Sequence, residues 1–301
     1  MAVPPADDLF VVFNPRSGKG RGARLVEPVL QALGREVAHG FTTAAGDEGR
    51  ITAEALGRGY RRIVAVGGDG TWSNVGNAII RSGVDAALGL VPAGTGCDLA
   101  KSLGVPKRDI AGCARIAREG HTRRIDVGRI EHCYFLNVAG FGFDIAVIED
   151  SLKVRFLGGD LLYIYCALRQ LHRYPGFAFS MGIDGEAPVP REMLMLVVAN
   201  ARIFGGGFQI APAADLADGL LDVVTFANMP LLRRLAIMAR LLRGTHGEAP
   251  EVASRRAHRI DLGFVSPPAY ETDGEWRRAT SADLSVEAVP AALRVLVPRE
   301  A

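Results

Sequence analysis

The chain has 301 residues, with 35 Lys and Arg against 33 Asp and Glu, for a formal net charge of +2. That near balance excludes a dominant nucleic-acid-binding field, and 49% apolar with 23% charged residues excludes a disordered chain. The length exceeds what one hydrophobic core usually serves, so two domains are expected. Cys97, Cys113, Cys133 and Cys166 form no CxxC pair. Reduced thiols in a cytoplasmic compartment are therefore expected, rather than a disulfide framework. The first eight residues have neither the basic segment nor the apolar core of a leader peptide. No apolar run approaches the roughly 20 residues that span a bilayer.

In chain order, Leu9 to Phe13 is a continuous apolar run and reads as a buried strand. A polar, Gly-rich loop follows, then a helical stretch from Ala23 to Leu33. Val37 to Phe41 reads as a weaker strand and Asp47 to Leu56 as a helix. Ile63 to Val66 is another buried run, and a helix pattern covers Trp72 to Ile80 before the apolar Ala86 to Val91. Strands that are apolar throughout belong in a parallel sheet covered by helices on both faces, so this part is α/β. After about Arg124 the pattern changes. Ile125 to Ile130, Cys133 to Val138, Phe177 to Ile183, Leu194 to Ala199, Leu220 to Phe226 and Ile260 to Phe264 read as alternating segments of a mostly antiparallel β-sandwich. Helical insertions are expected at Gly158 to Arg173 and Pro230 to Arg243.

Three loops follow three of the apolar runs. They are Asn14-Pro15-Arg16-Ser17-Gly18-Lys19-Gly20, Gly67-Gly68-Asp69-Gly70-Thr71 and Pro92-Ala93-Gly94-Thr95-Gly96. In an open parallel sheet, ligands bind just beyond the carboxyl ends of the strands. Glycine lets backbone N–H groups approach phosphate oxygens, and a helix starting after each loop adds its partial positive charge. Arg16, Lys19 and Arg21 add full charges. One such loop would read as a plain strand-to-helix connection; three favour a polyphosphate site. The established nucleotide motifs fail, because Gly20 follows Lys19 where a P-loop needs Ser or Thr, and Ala23 replaces the third glycine of GxGxxG. No HExxH or GxSxG occurs, and the histidines lack metal spacing.

Together with Asn200-Ala201-Arg202, Gly205-Gly206-Gly207, Pro212-Ala213, Asp218-Gly219-Leu220-Leu221-Asp222 and Asp273-Gly274-Glu275, these loops resemble the diacylglycerol kinase catalytic-domain family. The likeness is to its soluble bacterial lipid kinase branch, related to sphingosine and ceramide kinases. The GGDGT loop alone is shared with NAD kinases and phosphofructokinases; the ordered series is more specific. The resemblance implies a nucleotide-binding domain from residues 1–127 plus 289–301, a lipid-substrate sandwich from 128–288, and an active site in the cleft between them. It also implies that Ala292 to Val297 returns to the first domain.

Site residues carry over by position. Asn14, Ser17, Gly18, Thr42, Gly67, Gly68, Asp69, Gly70, Thr71, Gly94 and Thr95 match nucleotide-contacting positions. Asp69 matches the acid linked to nucleotide-bound Mg²⁺, Glu275 the proton acceptor, and Asp273 stands beside it as a further catalytic candidate. Asp215, Asp218 and the Leu220 carbonyl match a separate structural metal site. Two positions depart from the family: Asn74 stands where Glu is frequent, and Cys97 where Asn is usual. Asp184-Gly185-Glu186 repeats the Asp273 tripeptide and reads as a decoy hairpin.

The implied activity is transfer of the γ-phosphoryl group of ATP to a lipid hydroxyl, with Mg²⁺ and a diacylglycerol-like acceptor. The expected partner is a lipid at the membrane surface, met peripherally from the cytoplasm. Nucleic acid is not an expected partner, and a homodimer is left open. Leu231, Leu235, Met238 and Leu242 recur at helical spacing among arginines, as a packing face or as an interfacial helix. Leu161 to Leu171, with Phe156, Tyr163 and Tyr165, reads as core or as the wall of an acyl-chain pocket. Two alternatives stay open: a kinase of a soluble acceptor such as NAD, and a nucleotide-binding regulator without catalysis.

Overall fold

The computed structural model describes residues 7–154 and 160–299. The chain divides into two units, residues 1–127 with 290–301, and residues 128–289. Residues 1–6, Phe156, Gly158 and the side chains of Leu161 and Tyr163 lie outside the described residues.

The first unit alternates strand and helix: β1 (Leu9–Phe13), α1 (Ser17–Leu33), β2 (Ala38–Phe41), α2 (Asp47–Gly57), β3 (Arg62–Gly67), α3 (Asp69–Ser82), β4 (Ala87–Pro92), α4 (Asp98–Ser102) and α5 (Ile110–Glu119). β1 lies between β2 and β3, β4 joins the far edge of β3, and every pairing is parallel, with Val11 opposite Val64 and Val64 opposite Gly89. β1 and β4 are buried at every residue, which is why they read as unbroken apolar runs. All of these strands run the same way, so the loops after β1, β3 and β4 share one edge.

β5 (His121–Ile130) leads into the second unit. There follow β6 (Cys133–Phe135), β7 (Val138–Gly142), α6 (Phe143–Lys153), α7 (Asp160–Arg173), β8 (Phe177–Ile183), β9 (Val189–Ala199), β10 (Leu221–Ala227), α8 (Leu231–Leu241), β11 (Val252–Ala257), β12 (Arg259–Gly263), β13 (Ala269–Thr272), β14 (Glu275–Arg278) and β15 (Asp283–Val297). Pairings within this unit are antiparallel. β15 begins against β12 and ends in the first unit, where Arg294 and Val295 pair in parallel with Ala87 and Leu88 of β4.

Among the elements that differ from the sequence reading, β9, α6 and α8 bear on the second unit's two cores. β9 is buried on both faces over Leu194 to Ala199: Leu196 and Val198 enter one core, while Leu194, Met195, Val197 and Ala199 enter another with Ile237 and Leu241 of α8. The segment is therefore continuously apolar rather than alternating. Helix α6 was not anticipated, because its apolar residues Ile145 to Ile148 run consecutively and obscure the helical period. Helix α8 packs through Ile237 and Leu241, whereas Leu231, Leu232, Leu235 and Leu242 are exposed. The leucine stripe is thus the outer face of the helix.

Candidate active site

The three glycine loops of the first unit touch one another through positions that tolerate no side chain. A Cβ on Gly18 would stand 1.9 Å from the Ala93 carbonyl oxygen, and one on Gly94 would stand 2.6 Å from the Cα of Gly68. The backbone completes the closure, since the N–H groups of Ala93 and Gly94 donate to the Gly67 carbonyl at 2.7 and 3.0 Å. Gly18, Lys19 and Gly20 are consecutive left-handed residues, with φ of 55°, 59° and 84°. Left-handed residues in such a turn point successive N–H groups into a concavity suited to an anion. Arg16, Lys19 and Arg21 are exposed beside it, and Arg21 Nη1 donates to the Gly94 carbonyl at 3.4 Å.

Side chains link the same loops. Asn14 Nδ2 donates to Thr71 Oγ1 at 3.0 Å and to Glu48 Oε1 at 3.1 Å, while Asn14 Oδ1 accepts from the Arg16 N–H at 3.1 Å. Ser17 Oγ donates to the Asn14 carbonyl at 2.9 Å, and the Thr42 N–H donates to Phe13 at 2.9 Å. Thr95 is exposed, and its carbonyl accepts from Lys107 Nζ.

Asp69 opens α3, and its Oδ1 accepts from the Leu99 N–H at 3.1 Å, tying it to the start of α4. Burial holds the Asp69 carboxyl above its ordinary pKa; the Leu99 bond opposes this, and the neighbouring Asp98 carboxylate adds to it. Lys101 Nζ pairs with Asp98 at 2.8 Å, whereas Asp69 forms no ion pair among the described residues and is the carboxylate open to a cation. Mg²⁺ binds through one or two carboxylates together with substrate phosphates, so this donor set fits such an ion.

Cys97 is left-handed at φ 58° and buried, and its thiol donates to the Gly94 carbonyl at 3.3 Å. Burial, then the Asp69 charge, pushes its pKa up to about 11, so it is a neutral thiol. Asn adopts left-handed geometry far more readily than Cys, which gives the family's usual residue here a physical reason.

In the second unit, Asp273 and Gly274 form the turn between β13 and β14 with φ of 52° and 85°. The buried Asp273 carboxylate accepts from the N–H groups of Leu136, Asn137 and Val138 at 2.8, 2.8 and 3.2 Å. It thus holds the hairpin against the β6–β7 turn, which places it as a positioning group rather than an exposed acid. Asn200 braces the same segment, donating from Nδ2 to the Leu136 carbonyl at 2.8 Å. Glu275 is the accessible carboxylate, 41% exposed and 3.1 Å from Arg277 Nη2.

Asp215 and Asp218 lie in the loop before β10. Each carboxylate accepts within its own turn, from the Ala217 N–H at 3.1 Å and the Leu220 N–H at 3.0 Å. The Arg256 guanidinium stands 3.6 Å from Asp218 and 3.8 Å from Asp222, so positive charge is already supplied there. As arranged, Asp215, Asp218 and Leu220 do not fit a metal ion. Among the described residues no group of three or more His, Cys, Asp and Glu is placed to hold one.

An open groove of about 430 Å³ lies against α6 and β8, lined mainly by Phe141, Phe177, Phe264, Val265, Pro267 and Ile145. Phe264 stacks on Phe141 and Phe179 with ring centroids 5.7 and 5.9 Å apart. Glu149 and Arg278 line it as well.

Sequence reasoning missed three carboxyl groups. Glu48 shares the buried face of α2 with Ile51, Thr52, Ala55 and Leu56, and a charge on that stripe was the available signal. Asp144 and Glu271 share a spot in the second unit: a Cβ on Gly140 would lie 1.7 Å from Asp144 Oδ2 and 2.9 Å from Glu271 Oε1. Only the β7–β13 pairing brings them together, and no local pattern encodes it.

Two family models cover most of the chain: the diacylglycerol kinase catalytic domain matches residues 8–130, and the YegS C-terminal NAD kinase beta sandwich-like domain matches residues 137–297. A diacylglycerol kinase of Mycobacterium tuberculosis is 32% identical over 294 residues, covering 95% of this chain and 94% of that protein. The "Probable lipid kinase YegS-like" of Pseudomonas aeruginosa is 31% identical over 298 residues, covering 97% and 95%. A crystal structure of a diacylglycerol kinase from Bacillus anthracis shares the fold, with a TM-score of 0.72 at 20% identity over 96% of both chains. The chain belongs to the diacylglycerol kinase family of lipid kinases, and is a kinase that phosphorylates an alcohol.

Proposed function

We propose that the chain transfers the γ-phosphoryl group of ATP to the hydroxyl of a diacylglycerol-like lipid. The observation that carries this reading is the mutual closure of Gly18 on Ala93 and of Gly68 on Gly94, which brings the three glycine loops together along one sheet edge with no side chain between them. That arrangement suits a triphosphate, with Ser17, Thr42, Thr71 and Thr95 around it, Asn14 beside Thr71, and Lys19 and Arg21 offsetting its charge. Asp69 would hold the Mg²⁺ that accompanies ATP, and that ion supplies charge neutralisation on the phosphoryl oxygens. Glu275 takes the proton of the lipid hydroxyl as its oxygen bonds to phosphorus, the bond from phosphorus to the β,γ-bridging oxygen breaks, and ADP leaves.

The aromatic groove beside Phe141 and Phe264 is suited to an acyl chain, which supports a lipid over a soluble acceptor. Among the described residues no helix is long and apolar enough to cross a membrane. The exposed Leu232 of α8 and Leu242 just after it, 79% and 58% accessible, are the proposed contact with the lipid surface. Sedimentation with anionic liposomes is expected for the native chain and lost on Leu232→Ser with Leu242→Ser; unchanged sedimentation sinks the contact.

The main test uses radiolabelled ATP with a total lipid extract and, separately, with NAD. A labelled lipid is expected, with labelling down about 100-fold or more in Asp69→Ala. Label transferred to NAD alone, or equally by both proteins, overturns the reading.

A further inference from the structure

We propose that Glu48 is a positioning residue of the nucleotide site, acting through Asn14 to make the Thr71 hydroxyl a hydrogen-bond donor for a phosphate oxygen. The inference rests on the nucleotide reading above and goes beyond it in naming the group that sets the polarity of the loop. Glu48 is 4% exposed and lies on the apolar face of α2. A carboxyl group buried there costs stability that an alanine or methionine would not, so its polarity calls for a use. The start of α2 is fixed independently, since the Asp47 carboxylate accepts from the Thr43 and Ala44 N–H groups at 2.8 and 3.0 Å.

The direction of the chain of bonds follows from donor counting. Asn14 Oδ1 accepts from the Arg16 N–H at 3.1 Å, so the amide turns its NH₂ toward Glu48. That NH₂ has two protons, and its two acceptors are Glu48 Oε1 at 3.1 Å and Thr71 Oγ1 at 3.0 Å. Flipping the amide would set Asn14 Oδ1 against the carboxylate and break its bond from the Arg16 N–H. With Thr71 Oγ1 accepting from Asn14, its hydroxyl proton points elsewhere. Thr71 stands in the first turn of α3, where the helix favours anions. Asn14 correspondingly offers a ligand only its Oδ1, an acceptor, and so does not serve as a phosphate donor.

The test is a double-mutant cycle on ATP affinity, read by displacement of a fluorescent ATP analogue from the full-length chain. Glu48→Ala and Thr71→Val are each expected to weaken ATP about 10-fold, the loss of one charge-assisted bond. The double variant should fall no more than about 2-fold below Thr71→Val alone, because Glu48 has no route to the ligand once the hydroxyl is gone. Glu48→Gln should stay within about 3-fold of the native affinity, since its carbonyl oxygen still accepts from Asn14. Glu48→Met, which matches the side-chain length without the acceptor, carries the same cycle if the alanine variant does not fold. An additive cycle, with the double variant about 100-fold down, overturns the proposal, as does native affinity in Glu48→Met. A native chain that binds no ATP overturns the nucleotide reading and the proposal with it; native binding with an additive cycle overturns the proposal alone.

Discussion

The second unit contains the same tripeptide twice, as Asp184-Gly185-Glu186 and Asp273-Gly274-Glu275, and the two copies adopt the same turn. Their central φ angles are 49° and 87° in one and 52° and 85° in the other. In both, the aspartate captures backbone N–H groups of a neighbouring segment: those of His258 and Arg259 for Asp184, and those of residues 136–138 for Asp273. In both, the glutamate meets an arginine, Arg255 for Glu186 and Arg277 for Glu275. The difference lies around them. Asp184 is exposed, whereas Asp273 is buried and adjoins a second pair of buried carboxyls, Glu271 and Asp144. A local motif thus specifies the turn, and its surroundings specify its use.

The largest expected separation is in turnover. Glu275→Gln should lower kcat by about 10²- to 10⁴-fold, the usual worth of a positioned general base. Glu186→Gln should leave it within about 2-fold, since its carboxylate serves an exposed pair with Arg255. Comparable losses in both variants would erase the distinction between the hairpins. The aspartates separate in stability instead. Asp273→Ala strands three buried N–H groups and should cost about 3 kcal/mol in denaturant unfolding; Asp184→Ala, at an exposed site, should cost about 1 kcal/mol.

Much of this was legible in the sequence, for physical reasons. Asp-Gly favours a turn with positive φ at both positions wherever it falls, so both hairpins were readable. The sheet edge was readable because β1, β3 and β4 are buried on both faces and each is followed by a glycine loop, in which Gly18, Gly67 and Gly94 have no room for a side chain. What stayed hidden depends on pairing between distant segments. Asp273 looked like a catalytic companion of Glu275 until the β6–β7 turn was seen to fill its carboxylate. Glu48 meets Asn14 across 34 residues. The Asp215 and Asp218 assignment came from motif position alone, and Arg256, on a strand far along the chain, brings a positive charge to Asp218 that the motif did not announce.

The carboxyl pair beside the second hairpin predicts a smaller, pH-dependent effect. Burial pushes Asp144 up to about 7, and burial with the Asp144 charge, then Asp273, raises Glu271 well above the usual carboxylate range. Asp273 of the hairpin adds its charge to Glu271, Tyr174 after α7 faces Asp144 and Glu149, and the Arg277 guanidinium stands one residue away, donating to Thr272 Oγ1 at 2.7 Å. Unfolded carboxyls titrate near pH ~4, so between ~4 and about 7 the folded chain holds more protons than the unfolded one, and stability falls as pH rises. Glu271→Gln should flatten that fall and leave the variant more stable than native by on the order of 1 kcal/mol at pH 8. A parallel decline in both proteins would mean the pair carries no excess proton. Glu186, which Arg255 holds below its ordinary value, should leave this slope unchanged when replaced by Gln.

The smallest difference is expected at the glycines, and it probes the likeness rather than the contrast. Neither Gly185 nor Gly274 has any atom within 4 Å of where a Cβ would stand, so alanine meets no steric obstacle at either. The whole cost is the left-handed backbone, about 1 kcal/mol at each, and the two melting shifts should agree closely. Activity should nevertheless diverge. The Gly274 N–H donates to Glu271 Oε2 at 2.6 Å, and a change of φ there moves both that bond and the adjoining Glu275. Gly185→Ala should turn over lipid at the native rate, and Gly274→Ala several-fold slower at unchanged KM for ATP. Equal rates would show that the Glu275 backbone need not be held at this turn, and would leave burial of Asp273 and the Glu271–Asp144 pair as the features distinguishing the two copies.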